Sequence, residues 1–125
     1  MPLLFVMAGG ALGSGARYLT GRAASALLGP DLPYGTLAVN LIGGLLMGLL
    51  TGALARAGGG EAWRLFVGVG VLGGFTTFSS FSLEVATMIE RGATGLALGY
   101  VLLSVIGAVF ALFAGLWLAR TGAAA

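Results

Sequence analysis

Neither cysteine nor histidine occurs in these 125 residues. Their absence removes disulfide frameworks, thiolate and imidazole metal sites, cysteine nucleophiles and any histidine-based triad at once. Hydrolase chemistry of the familiar kinds is therefore not expected. Charge is scarce as well: 8% of residues are charged, and six arginines face four acids, a formal net charge of +2. These charges are spread along the chain without the basic cluster that nucleic-acid binding requires, so no nucleic-acid partner is expected. No basic residue precedes Arg17, and the start Met1-Pro2-Leu3-Leu4-Phe5 lacks the positive n-region of a cleavable signal peptide. The first segment is expected to stay as a membrane helix.

What is present is apolar: 58% of residues are hydrophobic and the mean hydropathy is +1.06. The apolar stretches are long enough to cross a bilayer core at about 20 residues each. The reading is an all-α membrane protein, a single transmembrane domain over 1–125 with helices at about 2–26, 35–55, 63–89 and 94–119. Pro2 suits a first helical turn, and Gly29-Pro30-Asp31-Leu32-Pro33 ends the first segment. Ala57-Gly58-Gly59-Gly60-Glu61 and Glu90-Arg91-Gly92 mark the next two turns, and Trp63 and Trp117 fall at expected ends, where indoles favour the interface.

The chain carries 24 glycines, a load that would disfavour helices in water. A membrane offers the backbone no water and so enforces internal hydrogen bonding. Glycines recur at four-residue spacing in Gly9/Gly13, Gly44/Gly48/Gly52, Gly70/Gly74 and Gly95/Gly99, which serves either tight packing within one bundle or contacts between copies. Gly68-Val69-Gly70-Val71-Leu72-Gly73 matches a dinucleotide-binding fingerprint, but it lies inside a membrane span and lacks the strand and helix that give that motif meaning.

If four helices put both termini on one side, Arg56, Arg64 and Arg120 lie on that side and Arg17, Arg22 and Arg91 on the other. Because arginine and lysine bias sets orientation, this tie predicts insertion in both directions, unless one arginine lies too deep to count or something else fixes orientation. A chain inserted both ways can pair with its own inverted copy about a two-fold axis in the membrane plane.

The polar residues at depth are few. Arg17 must snorkel, find a partner, or line a water-filled vestibule. Asn40 serves either as interhelical glue or as a donor to an anion. Glu84 and Glu90 are expected on the last turns of the third segment, near an aqueous mouth. The run Gly73-Gly74-Phe75-Thr76-Thr77-Phe78-Ser79-Ser80-Phe81-Ser82 puts five hydroxyls and three phenylalanines inside a hydrophobic segment. Gly73-Gly74 before Thr76-Thr77 is a weak place in a helix. Released carbonyls there could hold a small cation such as Na⁺, or the hydroxyls could simply bond back to the preceding turn. Phe75, Phe78 and Phe81 recur every three residues and are expected near one another on a helix face. They serve either ordinary packing or contact between positive ring edges and a small anion. Tyr100 and Ser104 add a hydroxyl pair one turn apart on the fourth segment.

Three stretches in order resemble the Fluc-type (CrcB-like) fluoride channels of microbial membranes over nearly the whole chain. They are Gly9-Gly10-Ala11-Leu12-Gly13-Ser14-Gly15-Ala16-Arg17-Tyr18, Gly35-Thr36-Leu37-Ala38-Val39-Asn40-Leu41-Ile42-Gly43, and Gly73 through Glu84. The resemblance implies a four-span, dual-topology antiparallel homodimer in the cell (inner) membrane, with a break in the third helix and passive fluoride export that gives fluoride resistance. It also implies a structural Na⁺ at the dimer centre, held by the backbone carbonyls of Gly73 and Thr76. Phe78 and Phe81 would line the pathway by their ring edges, Asn40 would donate to fluoride, and Arg17 would sit in a vestibule. Tyr100 and Ser104 match a polar track, with Ser79 and Ser80 as nearby hydroxyls. Ala108 departs from relatives that carry a hydroxyl there, and Ser80 stands for a usual threonine. A small multidrug-type proton-coupled exporter would need a carboxylate in the first helix, which is absent. A non-transporting assembly subunit is the remaining alternative.

Overall fold

The computed structural model describes every residue except Pro30, Asp31, Gly59 and Ala125, with the backbone alone at 57 and 122–124. Its elements are helical throughout the described residues: α1 (Pro2–Leu28), α2 (Tyr34–Ala57), α3 (61–75), α4 (Ser79–Glu90) and α5 (Thr94–Ala124). Pro2 occupies the first turn of α1, where its missing N–H costs nothing. Of the expected turn at Gly29-Pro30-Asp31-Leu32-Pro33, Pro30 and Asp31 lie outside the described residues, as does Gly59 of the next. Gly92 ends α4 at φ 83°, a conformation open to glycine at little cost, while the Ala93 N–H reaches back to the Met88 carbonyl at 2.9 Å.

The third segment is not one uniform helix. Residues Arg64–Leu72 adopt π-helical geometry, and the helix resumes its ordinary pitch at Gly73–Phe75 before stopping. Thr76 turns to extended backbone at ψ 162°, and α4 begins three residues later.

Among the described residues three stretches are long and apolar enough to cross a membrane: Tyr34–Arg56, Glu61–Glu90 and Thr94–Thr121. The exposed residues agree with lipid as the solvent. On α5 alone Leu98, Leu102, Leu103, Val105, Ile106, Val109, Phe110, Phe113, Trp117 and Leu118 are exposed. A water-soluble fold would bury such a face. The chain is therefore a membrane protein. α1 spans 27 residues, about 40 Å at 1.5 Å per residue, but its glycines, Ser14, Arg17 and Arg22 dilute its apolar character.

Small residues hold the bundle together. The broadest contact joins α2 to α5, and the next joins α1 to the π-helical part of α3. A Cβ built on Gly48 would lie 2.9 Å from the Leu116 backbone nitrogen, and one on Gly13 would lie 2.8 Å from that of Phe75. Backbones in lipid gain nothing from hydrophobic burial, so such close approach supplies the dispersion contact that does the holding. Gly95 and Gly99 differ, since a Cβ on either meets nothing within 4 Å. Side-chain packing is concentrated between α4 and α5, where Phe81, Met88, Ala97 and Tyr100 form a buried cluster.

Gly48→Val is expected to destabilise the folded protein in detergent by about 1–3 kcal/mol or more through overpacking. Gly99→Ala, on an open face, is expected to leave thermal unfolding of the protomer unchanged. Equal melting temperatures for both variants would contradict this account of the α2–α5 seam.

Candidate functional site

Residues 76–78 interrupt the helix, with Thr76 and Thr77 half-buried and Phe78 exposed, and each polar backbone group released there has to find a partner in a membrane. Asn40 on α2 meets the break in both senses. Its Nδ2 donates to the Thr77 carbonyl at 3.1 Å, and its Oδ1 accepts the Thr77 N–H at 2.9 Å. Arg17 on α1 donates from Nε to the Gly74 carbonyl at 3.2 Å. The Thr77 hydroxyl accepts the Ser80 N–H at 3.1 Å and so caps the start of α4. The Thr76 hydroxyl bonds back to the Leu72 carbonyl at 3.1 Å.

The break leaves two carbonyls without helical donors. A helical carbonyl accepts from the N–H four residues on. For Gly73 that donor is Thr77, which serves Asn40 instead, while Thr76 is itself extended, so its carbonyl lies outside any helical pairing. Both oxygens are thereby available to a ligand, and hard oxygen donors of this kind suit a small cation.

Two cavities flank the break. The first, of about 410 Å³, brings Asn40, Thr76, Thr77, Phe78, Phe81 and Ser104 together, with Gly43, Gly44, Met47 and Ala108 in its wall. The second, of about 480 Å³, is lined by Arg17, Arg22, Thr36, Thr77 and Ser80, among others. Thr77 lines both, so the Asn40–Thr77 pair is part of the partition between them.

The aromatic residues divide differently from their spacing. Phe78 and Phe81 stand with centroids 5.7 Å apart and tilted by 49°, and Phe81 meets Tyr100 at 5.3 Å and 47°. Phe75 does not join this ladder and lies buried at the end of α3. The expectation of three phenylalanines on one helix face is corrected here, because the chain leaves helical geometry at Thr76 and the three-residue repeat loses its meaning across the break. Phe81 is 7% exposed whereas Phe78 is 75% exposed, so the ladder runs from the core to the outside of the chain.

The remaining residues named from sequence separate. Ser80 lines the second cavity together with Arg17, whereas Ser79 is exposed and lines neither cavity. Ser104 lines the first cavity, and its Oγ and the Tyr100 hydroxyl are buried with no hydrogen-bond partner among the described residues. Tyr100 itself borders a neighbouring apolar groove with Leu37, Gly99 and Leu103. Glu84 sits in the penultimate turn of α4, as expected, and accepts a 2.6 Å hydrogen bond from the Thr36 hydroxyl. Thr36 and Thr77 were missed as site residues. Thr36 lies four residues before Asn40, hence on the same face of α2, and that spacing was the available signal.

The fold and site define a small helical membrane protein organised around an interrupted helix whose loose backbone is held by Asn40 and Arg17. The family model described as "CrcB-like protein, Camphor Resistance (CrcB)" matches residues 4–116, and the chain belongs to this family. A relative from Phenylobacterium zucineum is 64% identical over 120 residues, 94% of each chain. One from a Caulobacter species is 61% identical over 120 residues, again 94% of each. One from Mesorhizobium japonicum is 57% identical over 119 residues, 95% of this chain and 96% of its own. All three carry the name "Fluoride-specific ion channel FluC".

Asn40→Leu strands the N–H and carbonyl of Thr77, each at a cost of about 1–3 kcal/mol. Thr77→Val keeps both of those bonds and loses only the cap on Ser80, worth about 1 kcal/mol. Thermal unfolding in detergent is expected to rank Asn40→Leu well below Thr77→Val, and the reverse order would refute the proposed hold on the break.

Proposed function

We propose that this chain forms a fluoride-selective channel that lets fluoride leave the cell passively, down its electrochemical gradient, and so confers fluoride resistance. The observation that carries the reading is the convergence of Asn40, Phe78, Phe81 and Ser104 on one cavity, in a chain 57–64% identical to the fluoride-specific channels named above. Fluoride is small and strongly hydrated, so a narrow path must replace its water with several donors yet hold it weakly enough to let go. The Asn40 amide nitrogen has two N–H groups, and one is committed to the Thr77 carbonyl. The second is left to meet the anion, in an orientation fixed by the first.

The Ser104 hydroxyl, buried with no hydrogen-bond partner among the described residues, is a further donor on the same cavity. Phe81 and the exposed Phe78 offer ring edges, which attract an anion without the fixed cation that would trap it. Arg17 belongs to the vestibule, where it raises the local anion concentration. Tyr100 continues the polar track next to Phe81, Ser80 supplies a hydroxyl at the mouth, and Ser79 serves, if at all, from its exposed side.

The functional unit in this reading is an antiparallel dual-topology homodimer in the cell (inner) membrane, with α1 as a fourth span. With Arg17 held at the break, Arg22 and Arg91 face Arg56, Arg64 and Arg120, a small charge bias that leaves insertion both ways open. The outward reach of Phe78 fits a path completed by a second copy. Na⁺ at the dimer centre would be held by the Gly73 and Thr76 carbonyls, whose lack of helical donors suits them to the role. When bound, the cation would cross-link backbone dipoles of the two copies and stiffen the breaks.

Purified protein in liposomes is expected to release fluoride rapidly, followed by electrode, and to retain chloride under the same gradient. Asn40→Asp, which loses the donor and adds a like charge, and Phe78→Ile are expected to suppress that flux while still dimerising. Normal flux in both would sink the site assignment, and no efflux from well-folded wild-type protein would sink the channel reading. Na⁺ at about one hundred times its Kd is expected to add about 2.7 kcal/mol to the stability of sodium-stripped dimer. An equal effect of Cs⁺ would argue against a specific site.

A further inference from the structure

The first cavity does not end at the break. Along α2 its wall is Asn40, Gly43, Gly44 and Met47, and a third cavity of about 560 Å³ then begins with Met47 and continues through Leu50, Thr51, Leu54, Ala55 and Gly58. These positions recur at three- and four-residue intervals and so form one continuous stripe on α2. Across from it are Arg64, Gly68 and Val69 of the π-helical stretch. The third cavity therefore runs from Met47 to an arginine at the end of α3 remote from the break. Among the described residues Met47 alone lines both cavities.

The opposing surface at this point has no side chain. A Cβ built on Gly68 would lie 3.8 Å from the Met47 sulfur and 3.3 Å from Leu50. The division between the two cavities is thus a flexible thioether lying against bare backbone, on a seam where α2 and the π-helical segment touch far less than α2 and α5 do. Methionine adapts its shape through three rotatable bonds, and an apolar constriction excludes ions by excluding water.

We propose that Met47 is a hydrophobic plug separating the anion cavity from a second exit that ends at Arg64, and that the plug helps to determine ion selectivity. The inference rests on the channel reading above. With the plug in place, an anion beside Asn40 is confined to the donor-lined route. Without it, the stripe offers a path with Thr51 as its first hydroxyl and with Arg64, ion-paired to Glu61, at its far end. Few donors line that path to replace fluoride's water, so it favours the more easily dehydrated chloride.

The test is chloride and fluoride efflux from liposomes holding the full-length protein. Met47→Leu, which conserves volume, is expected to behave as wild type. Met47→Ala is expected to raise chloride efflux about tenfold over the wild-type background while fluoride efflux persists, since a dewetted constriction that widens fills with water. Gly68→Ala added to Met47→Ala restores a methyl opposite the gap and is expected to bring chloride efflux back down, an effect that mere loss of packing would not give. If Met47→Ala fails to fold, Met47→Gln decides, because a polar group of similar length should wet the plug and admit chloride. Chloride exclusion equal to wild type in a folded Met47→Ala or Met47→Gln protein would overturn the proposal. Absence of fluoride efflux in the wild type would overturn the channel reading instead.

Discussion

The two-way hydrogen bond between Asn40 and the Thr77 backbone is the interaction on which the rest of this structure depends. A helix interrupted in a membrane exposes donors and acceptors that lipid cannot satisfy, and each left unpaired costs several kcal/mol. One amide side chain answers both groups of a single residue. In doing so it draws the Thr77 N–H away from Gly73, joins α2 to the break and separates the two flanking cavities. Arg17 does similar work from α1 at the Gly74 carbonyl, so a guanidinium in the span is held by backbone rather than by a carboxylate.

Much of this was legible in the sequence because lipid simplifies the problem. Proline and glycine clusters mark the turns, glycine spacing marks the seams, and the hydroxyl-rich run after Gly73-Gly74 marks the break. Other features were not legible, each for a physical reason. The π-helical course of Arg64–Leu72, which packs against α1, is announced by no residue type. The segregation of Phe75 from Phe78 follows from the break's exact position, which depends on Asn40 arriving from another helix. Gly95 and Gly99 share the spacing of the packed glycines yet face open space, because spacing reports which face is smooth and not what lies against it.

The division of labour among the glycines and the large apolar residues is the reverse of a soluble protein's. Small residues such as Gly9, Gly13 and Gly48 occupy the interior, while leucine and phenylalanine side chains turn outward along α5. With no hydrophobic force to drive helices together, smooth surfaces that permit contact between backbones take over that role. The interior left by such packing is lined by main chain at many points, and cavities beside it are shaped by few side chains. A single flexible residue such as Met47 then has unusual influence over the shape of the space around it.

The hold on the broken helix also imposes an order in time. The side chains that satisfy the Gly74 carbonyl and the Thr77 backbone are Arg17 and Asn40, both earlier in the chain. When the third segment leaves the ribosome, its partners have already been made, and its loose backbone can be received at once. Were the same break placed in the first segment, it would wait in lipid for helices not yet synthesised. The sequence order of this small protein is thus also an assembly schedule.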